Sequence, residues 1–119
     1  MSPTPLRYFH NPRCSKSRAA LELLRAHGVE PELVAYLETP PSEDELHRLL
    51  ECLDMAPRAL LRTGEDAYRS LGLDDPTLDD AALVAAMHAH PRLIERPILV
   101  NGNRAVIGRP PERVLEILD

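Results

Sequence analysis

Tryptophan is absent, and phenylalanine occurs once beside three tyrosines. With so few rings, the core is expected to be built from Leu, Val, Ile and Ala. No apolar run approaches the ~20 residues that a membrane helix needs. Met1 to Leu6 hold no basic start followed by an apolar stretch, so no secretory signal is expected either. Cysteine occurs only twice, too seldom for a disulfide framework, and a reducing, cytoplasmic setting is the simpler reading. A basic excess is missing as well. The formal net charge is −5, which argues against a nucleic-acid-binding surface as the main function.

What is present fits one soluble domain over residues 1–119, with 44% apolar residues. The twelve prolines do not form a low-complexity tract. They sit at apparent element boundaries, where a fixed φ and a missing N–H are tolerated. Leu6 to Phe9 can open a strand, and Asn11-Pro12 breaks it. From Ser15 to His27 helix formers dominate, with Ala20, Leu21 and Leu24 on one stripe. Val34 to Leu37 reads as a second strand. Ser42 and Glu45 make a capping box, followed by Leu46, Leu49, Leu50 and Leu53 on one helical face. Short helices are expected over Pro57–Arg62 and Glu65–Leu71, and a longer one capped by Thr77 and halted at Pro91. Ile98–Val100 and Ala105–Ile107 read as strands of a type I′ hairpin around Asn101-Gly102. Pro110 then opens a closing helix through Val114, Leu115 and Leu118. The order suits an α/β fold: a mixed sheet with a helical insertion in the middle.

Chemistry concentrates in His10-Asn11-Pro12-Arg13-Cys14-Ser15-Lys16-Ser17-Arg18. Cys14 falls where the first helix begins, where leading amides lack intrahelical partners and the dipole is positive. Both features, with Arg13, Lys16 and Arg18 around them, favour a thiolate over a thiol. The same helix mouth can hold an anion. The alternative is a small cysteine buried in a strand-helix junction. Ser17 stands where a dithiol motif would carry its second cysteine, so the cycle must end with an external thiol or with the distant Cys52. Cys52 lies toward the edge of an apolar helix face, a packing position. His10 either tunes the thiolate or is a satisfied polar residue at a strand end. Arg62, Arg96 and Arg109 all stand at element ends. Three guanidiniums can grip a tetrahedral oxyanion, but spacing alone favours ordinary surface arginines. Arg96-Pro97 is a possible cis bond, although trans is the default. No His, Cys and Asp grouping has the spacing of a metal site.

Several segments in the right order resemble the glutaredoxin-coupled arsenate reductase family over nearly the whole chain. They are His10 to Arg18, Leu37-Glu38-Thr39-Pro40-Pro41, Arg58 to Arg62, Glu95-Arg96-Pro97-Ile98 and Ile107-Gly108-Arg109-Pro110. The resemblance implies a thioredoxin-like fold, with a helical insertion at about residues 42–91 and a cis proline, Pro97. It implies that Cys14 is the nucleophile, supported by His10 and Ser17, and that Arg62, Arg96 and Arg109 bind arsenate and the arsenite product. Glutathione as co-substrate and glutaredoxin as partner would supply electrons to a monomer with no bound cofactor. Ser15-Lys16 stands where the well-characterised reductases have Gly-Thr, and the chain stops at Asp119. It therefore resembles a shorter, related subgroup. Two other functions remain open at this point. One is an Spx-like regulator binding RNA polymerase, although such switches commonly use Cys-x-x-Cys. The other is a glutathione-linked thiol oxidoreductase that does not use arsenate.

Overall fold

Strand β1 (Arg7–Phe9) is one of the two central strands of the sheet, with one partner strand that follows it closely in the chain and one from the C-terminal part. The computed structural model describes residues 6–95 and 97–118. Strand β2 (Glu32–Val34) pairs with β1 in parallel, as a strand-helix-strand crossover requires. On its other side β1 pairs antiparallel with β3 (Ile98–Asn101), which continues into β4 (Arg104–Ile107). The order β2-β1-β3-β4 is a mixed sheet of the thioredoxin-like kind.

The described residues fall into two compact units. One runs up to Thr39 and resumes at Pro97; the other is Pro40–Glu95. In the first, helix α1 (Ser15–Ala26) buries Ala20, Leu21 and Leu24 at helical spacing. They pack with Tyr8, Leu99, Val106, Val114 and Ile117 in one cluster. In the second, helix α2 (Glu43–Leu53) begins at the expected capping box: Ser42 Oγ accepts from the Glu45 amide at 3.1 Å, and the Glu45 carboxylate accepts from the Ser42 amide at 3.2 Å. Short helices α3 (Pro57–Leu60) and α4 (Asp66–Ser70) follow, then α5 (Asp80–Ala89). Helix α5 packs on α2, on α3 and on the 3₁₀ turn Pro91–Leu93. No helix among the described residues is long and apolar enough to cross a membrane.

Five local expectations need correction. Strand β2 ends at Val34 instead of running from Val34 to Leu37. There the chain turns: the Thr39 amide donates to the Ala35 carbonyl, and Tyr36 is buried with its ring 6.3 Å from that of Phe9. Its apolar side chains serve a packed turn, not a ladder. Helix α3 stops at Leu60, short of Arg62, because Leu61 bridges to Ile94 in strand-like pairing. Asp79, not Thr77, caps α5, accepting from the Ala82 amide at 2.9 Å. Thr77 is held by Asp75, whose Oδ1 accepts from both its amide and its hydroxyl. Those bonds, the hydroxyl's first, hold the Asp75 carboxyl below the usual carboxylate range.

The hairpin loop is Gly102-Asn103, and only Gly102 has positive φ, at 63°. Type I′ needs positive φ at both loop residues, so this is the II′ pattern, which glycine at the first position favours. The closing element is a 3₁₀ helix, Pro111–Ile117, not an α-helix from Pro110. Its buried residues, Val114 and Ile117, are three apart, which matches a three-residue turn. The core also contains more aromatic surface than its composition suggests. Tyr8, Phe9 and Tyr36 are each at most 3% exposed.

Candidate functional site

Cys14 sits at the N-cap of α1 with extended backbone angles, φ −96° and ψ 122°. Asn11 makes the turn before it. The Asn11 side chain accepts from the Arg13 amide at 3.0 Å, and its carbonyl accepts from the Cys14 amide at 3.0 Å. Proline between them fixes one φ and donates nothing. The Arg18 guanidinium reaches back to the Pro12 carbonyl at 2.9 Å and closes the loop from its outer side. Cys14 makes no side-chain capping bond, unlike Ser42 and Asp79 at α2 and α5. No acidic residue stands in the first turn of α1, whereas α2 carries three there. Cys14 is half-buried, while its chain neighbours Arg13, Ser15, Lys16 and Arg18 are exposed. A partly accessible thiol thus stands at a helix start with exposed cationic residues on either side of it in the chain.

Behind the cysteine lies a polar cluster. Ser17 is fully buried on the inner face of α1. Its hydroxyl is 2.8 Å from His10 Nδ1 and accepts from the Asn11 amide at 3.1 Å. Its carbonyl accepts from the Tyr8 hydroxyl. Tyr8 and His10 project to the same side of β1, two residues apart, with ring centroids 5.5 Å apart. Burial first, then the positive charges of Arg25 and Arg18, lower the pKa of His10 from 6.5. The unfolded chain therefore takes up a proton at His10 before the native protein does as the pH falls below 6.5. Stability contributed here is present above that value and is lost on acidification. The unfolding free energy of the parent should fall relative to His10→Gln between pH 8 and pH 5, as paired urea melts at each pH would show.

Cys14, His10 and Ser17 belong to this one cluster around the start of α1. Arg109 is in the same unit, just after β4, with its amide donating to the Ile107 carbonyl at 2.9 Å. Arg62 belongs to the other unit, where its guanidinium meets Glu65 at 2.8 Å and Glu95 at 3.7 Å. Arg96 lies outside the described residues, and so does the Arg96–Pro97 bond expected to be cis. The cis bond among the described residues is Arg109–Pro110. Cys52 is half-buried on α2.

Three contributors escape a reading by motif. Tyr8 looks like an ordinary strand residue, although period-2 alternation sets it on the face that carries His10. Asn11 reads as a turn former, yet it is also 9% exposed and bonded at three points. Gly108 is needed for packing. Its amide donates to the Pro97 carbonyl at 2.8 Å. A Cβ there would lie 2.9 Å from Pro97 Cγ and 3.0 Å from Val114 Cγ1. Gly108→Ala should destabilise the protein by about 1–3 kcal/mol through overpacking, measured by urea denaturation.

Known proteins can be set beside this geometry. A model of the ArsC family matches residues 9–117. The uncharacterized protein YfgD of Escherichia coli K12 is 53% identical over 114 residues, covering 95% of this chain and 96% of its own. An arsenate reductase of Neisseria meningitidis is 47% identical over 114 residues, 95% of this chain and 97% of its own. The solved structure of an arsenate reductase from Vibrio cholerae superposes with a TM-score of 0.94 at 50% identity, covering 98% of this chain and all of that one.

Proposed function

The chain belongs to the ArsC family, and from that premise we propose that it reduces arsenate to arsenite with Cys14 as nucleophile. The observation that carries the reading is Cys14 itself. It is a partly exposed thiol at an N-cap, flanked in the chain by exposed cations, beside the pair of half-buried His10 and buried Ser17. Arsenate reductase relatives that align along nearly all of their length support the choice of substrate.

The Cys14 thiolate attacks arsenic(V), and an arsenate oxygen leaves as water after protonation. Guanidiniums, Arg109 among them, neutralise the remaining oxyanion, a role that favours planar, permanently charged donors. The glutathione thiol then displaces a second oxygen, which leaves as water with the thiol proton, and forms an arsenic–sulfur bond. A glutaredoxin thiolate attacks the glutathione sulfur, the electron pair of the broken bond passes to arsenic, and a mixed disulfide of glutaredoxin and glutathione forms. Hydrolysis of the Cys14–arsenic(III) bond releases arsenite and restores the thiol. Ser17 fits such an external donor, since it leaves no second thiol beside Cys14. A pool of reduced glutathione places this cycle in the cytoplasm.

The test is arsenate-dependent NADPH oxidation with glutathione, glutaredoxin and glutathione reductase present. Turnover that requires all of these supports the proposal. Turnover with thioredoxin and its reductase instead would overturn the donor. Activity on a glutathione mixed disulfide, with none on arsenate, would overturn the substrate and keep the nucleophile.

A further inference from the structure

Ser17 is gripped from two sides, and one grip has no part in the chemistry above. His10 and the Asn11 amide hold its hydroxyl, while Tyr8 holds its carbonyl. We propose that Tyr8 is a positioning residue for the Cys14 nucleophile, its hydroxyl fixing the first turn of α1 and its ring fixing the His10 imidazole. The inference rests on the reading of Cys14 as the reacting thiol.

Three bonds in series connect the phenol to the cysteine. Tyr8 donates to the Ser17 carbonyl, the Asn11 amide donates to the Ser17 hydroxyl, and the Cys14 amide donates to the Asn11 carbonyl. Each atom in this series is on buried or half-buried residues, so water is a poor substitute for a missing link. Residue 8 is also fixed from behind, since it pairs with Leu33 on one side and Leu99 on the other. It is fully buried in the cluster that joins α1 to the sheet. The strand therefore supplies a rigid base, and the phenol transmits that rigidity to the helix start. Burial, with a smaller contribution from the neighbouring Cys14 charge, pushes the phenol up to about 12 despite the opposing bond to Ser17. It stays protonated at every working pH, a permanent donor with no proton to exchange in the reaction.

Tyr8→Phe keeps the ring and deletes the donor; Tyr8→Leu removes the ring against His10 as well. Both are made with Cys52→Ser, so that Cys14 is the single thiol, and are compared with the Cys52→Ser parent. The first readout is the rate of alkylation by iodoacetamide, which needs no arsenate; the second is kcat and KM in the coupled assay. Tyr8→Phe should slow alkylation and kcat by about three- to tenfold, the size of one lost positioning bond. KM for arsenate should stay within about twofold, because the oxyanion contacts are untouched. Tyr8→Leu should fall further. Parent-like alkylation and kcat in a folded Tyr8→Phe protein would overturn the proposal, as would a fall in kcat that matches the loss of folded fraction while alkylation of the folded protein stays parent-like. Slowed alkylation in a protein whose parent never reduces arsenate would uphold Tyr8 and overturn the substrate reading instead.

Discussion

Cys14→Ser should lower arsenate turnover by at least about a thousandfold, because a hydroxyl is a far weaker nucleophile than a thiolate at neutral pH. The same change should not weaken the fold. Serine is a preferred N-cap, and Cys14 makes no capping bond for it to lose. A serine oxygen there can accept from an amide of the first turn, a gain of about 0.5–1 kcal/mol. The variant should therefore melt at or above the temperature of the parent while its activity disappears. Such a result separates a reactive residue from a packing one more sharply than activity alone. Cys52→Ser, by contrast, should retain most of the parental rate. Loss of turnover on that change would mean that the second cysteine closes the cycle and that no external thiol is needed.

Ser17→Ala is expected to damage both stability and rate. The side chain is fully buried, and its hydroxyl satisfies the Asn11 amide and the His10 ring. Deleting it leaves a buried N–H without its partner, at about 1–3 kcal/mol, and releases the imidazole. Chemical denaturation should show a stability loss of that size. The coupled assay should show kcat reduced by about tenfold or more, since the turn that presents Cys14 loses its inner anchor. Ser17→Thr keeps the hydroxyl but adds a methyl group in a site with no exposure, so it should rescue only part of the loss. Unchanged denaturation curves for Ser17→Ala would contradict the hydrogen-bond network described above.

Much of this molecule is legible in its sequence, wherever one local rule acts without competition. The stripe Ala20, Leu21 and Leu24 gives α1, and Ser42 with Glu45 gives the start of α2, because both signals are contained within one or two turns. The same holds for Cys14 at a helix mouth, since strand, proline turn and helix formers are consecutive. Errors arise where a distant partner decides. Val34 to Leu37 has strand composition, but Tyr36 is drawn into contact with Phe9 and the backbone turns. Thr77 is a good cap by type, yet Asp75 takes its hydroxyl and leaves Asp79 to do the capping. At the closing 3₁₀ helix, buried residues three apart override an α-helical expectation. The site divides along the same line. The position of Cys14 at a helix start is marked by local pattern, whereas the bonds of Tyr8 and Asn11 to Ser17, and the tight fit of Gly108 against Pro97 and Val114, depend on tertiary approach.

The placement of β1 in the middle of the sheet also sets an order of events during synthesis. Its parallel neighbour follows it closely, but its antiparallel neighbour begins only at Ile98. Pro40–Glu95 contains its own short-range helical contacts and can become ordered while still attached to the ribosome. The segment bearing the thiol leaves the ribosome before β3 and β4 and gains its complete support only after them. Until β3 and β4 emerge, the helix that begins at that thiol rests on a sheet lacking two of its four strands.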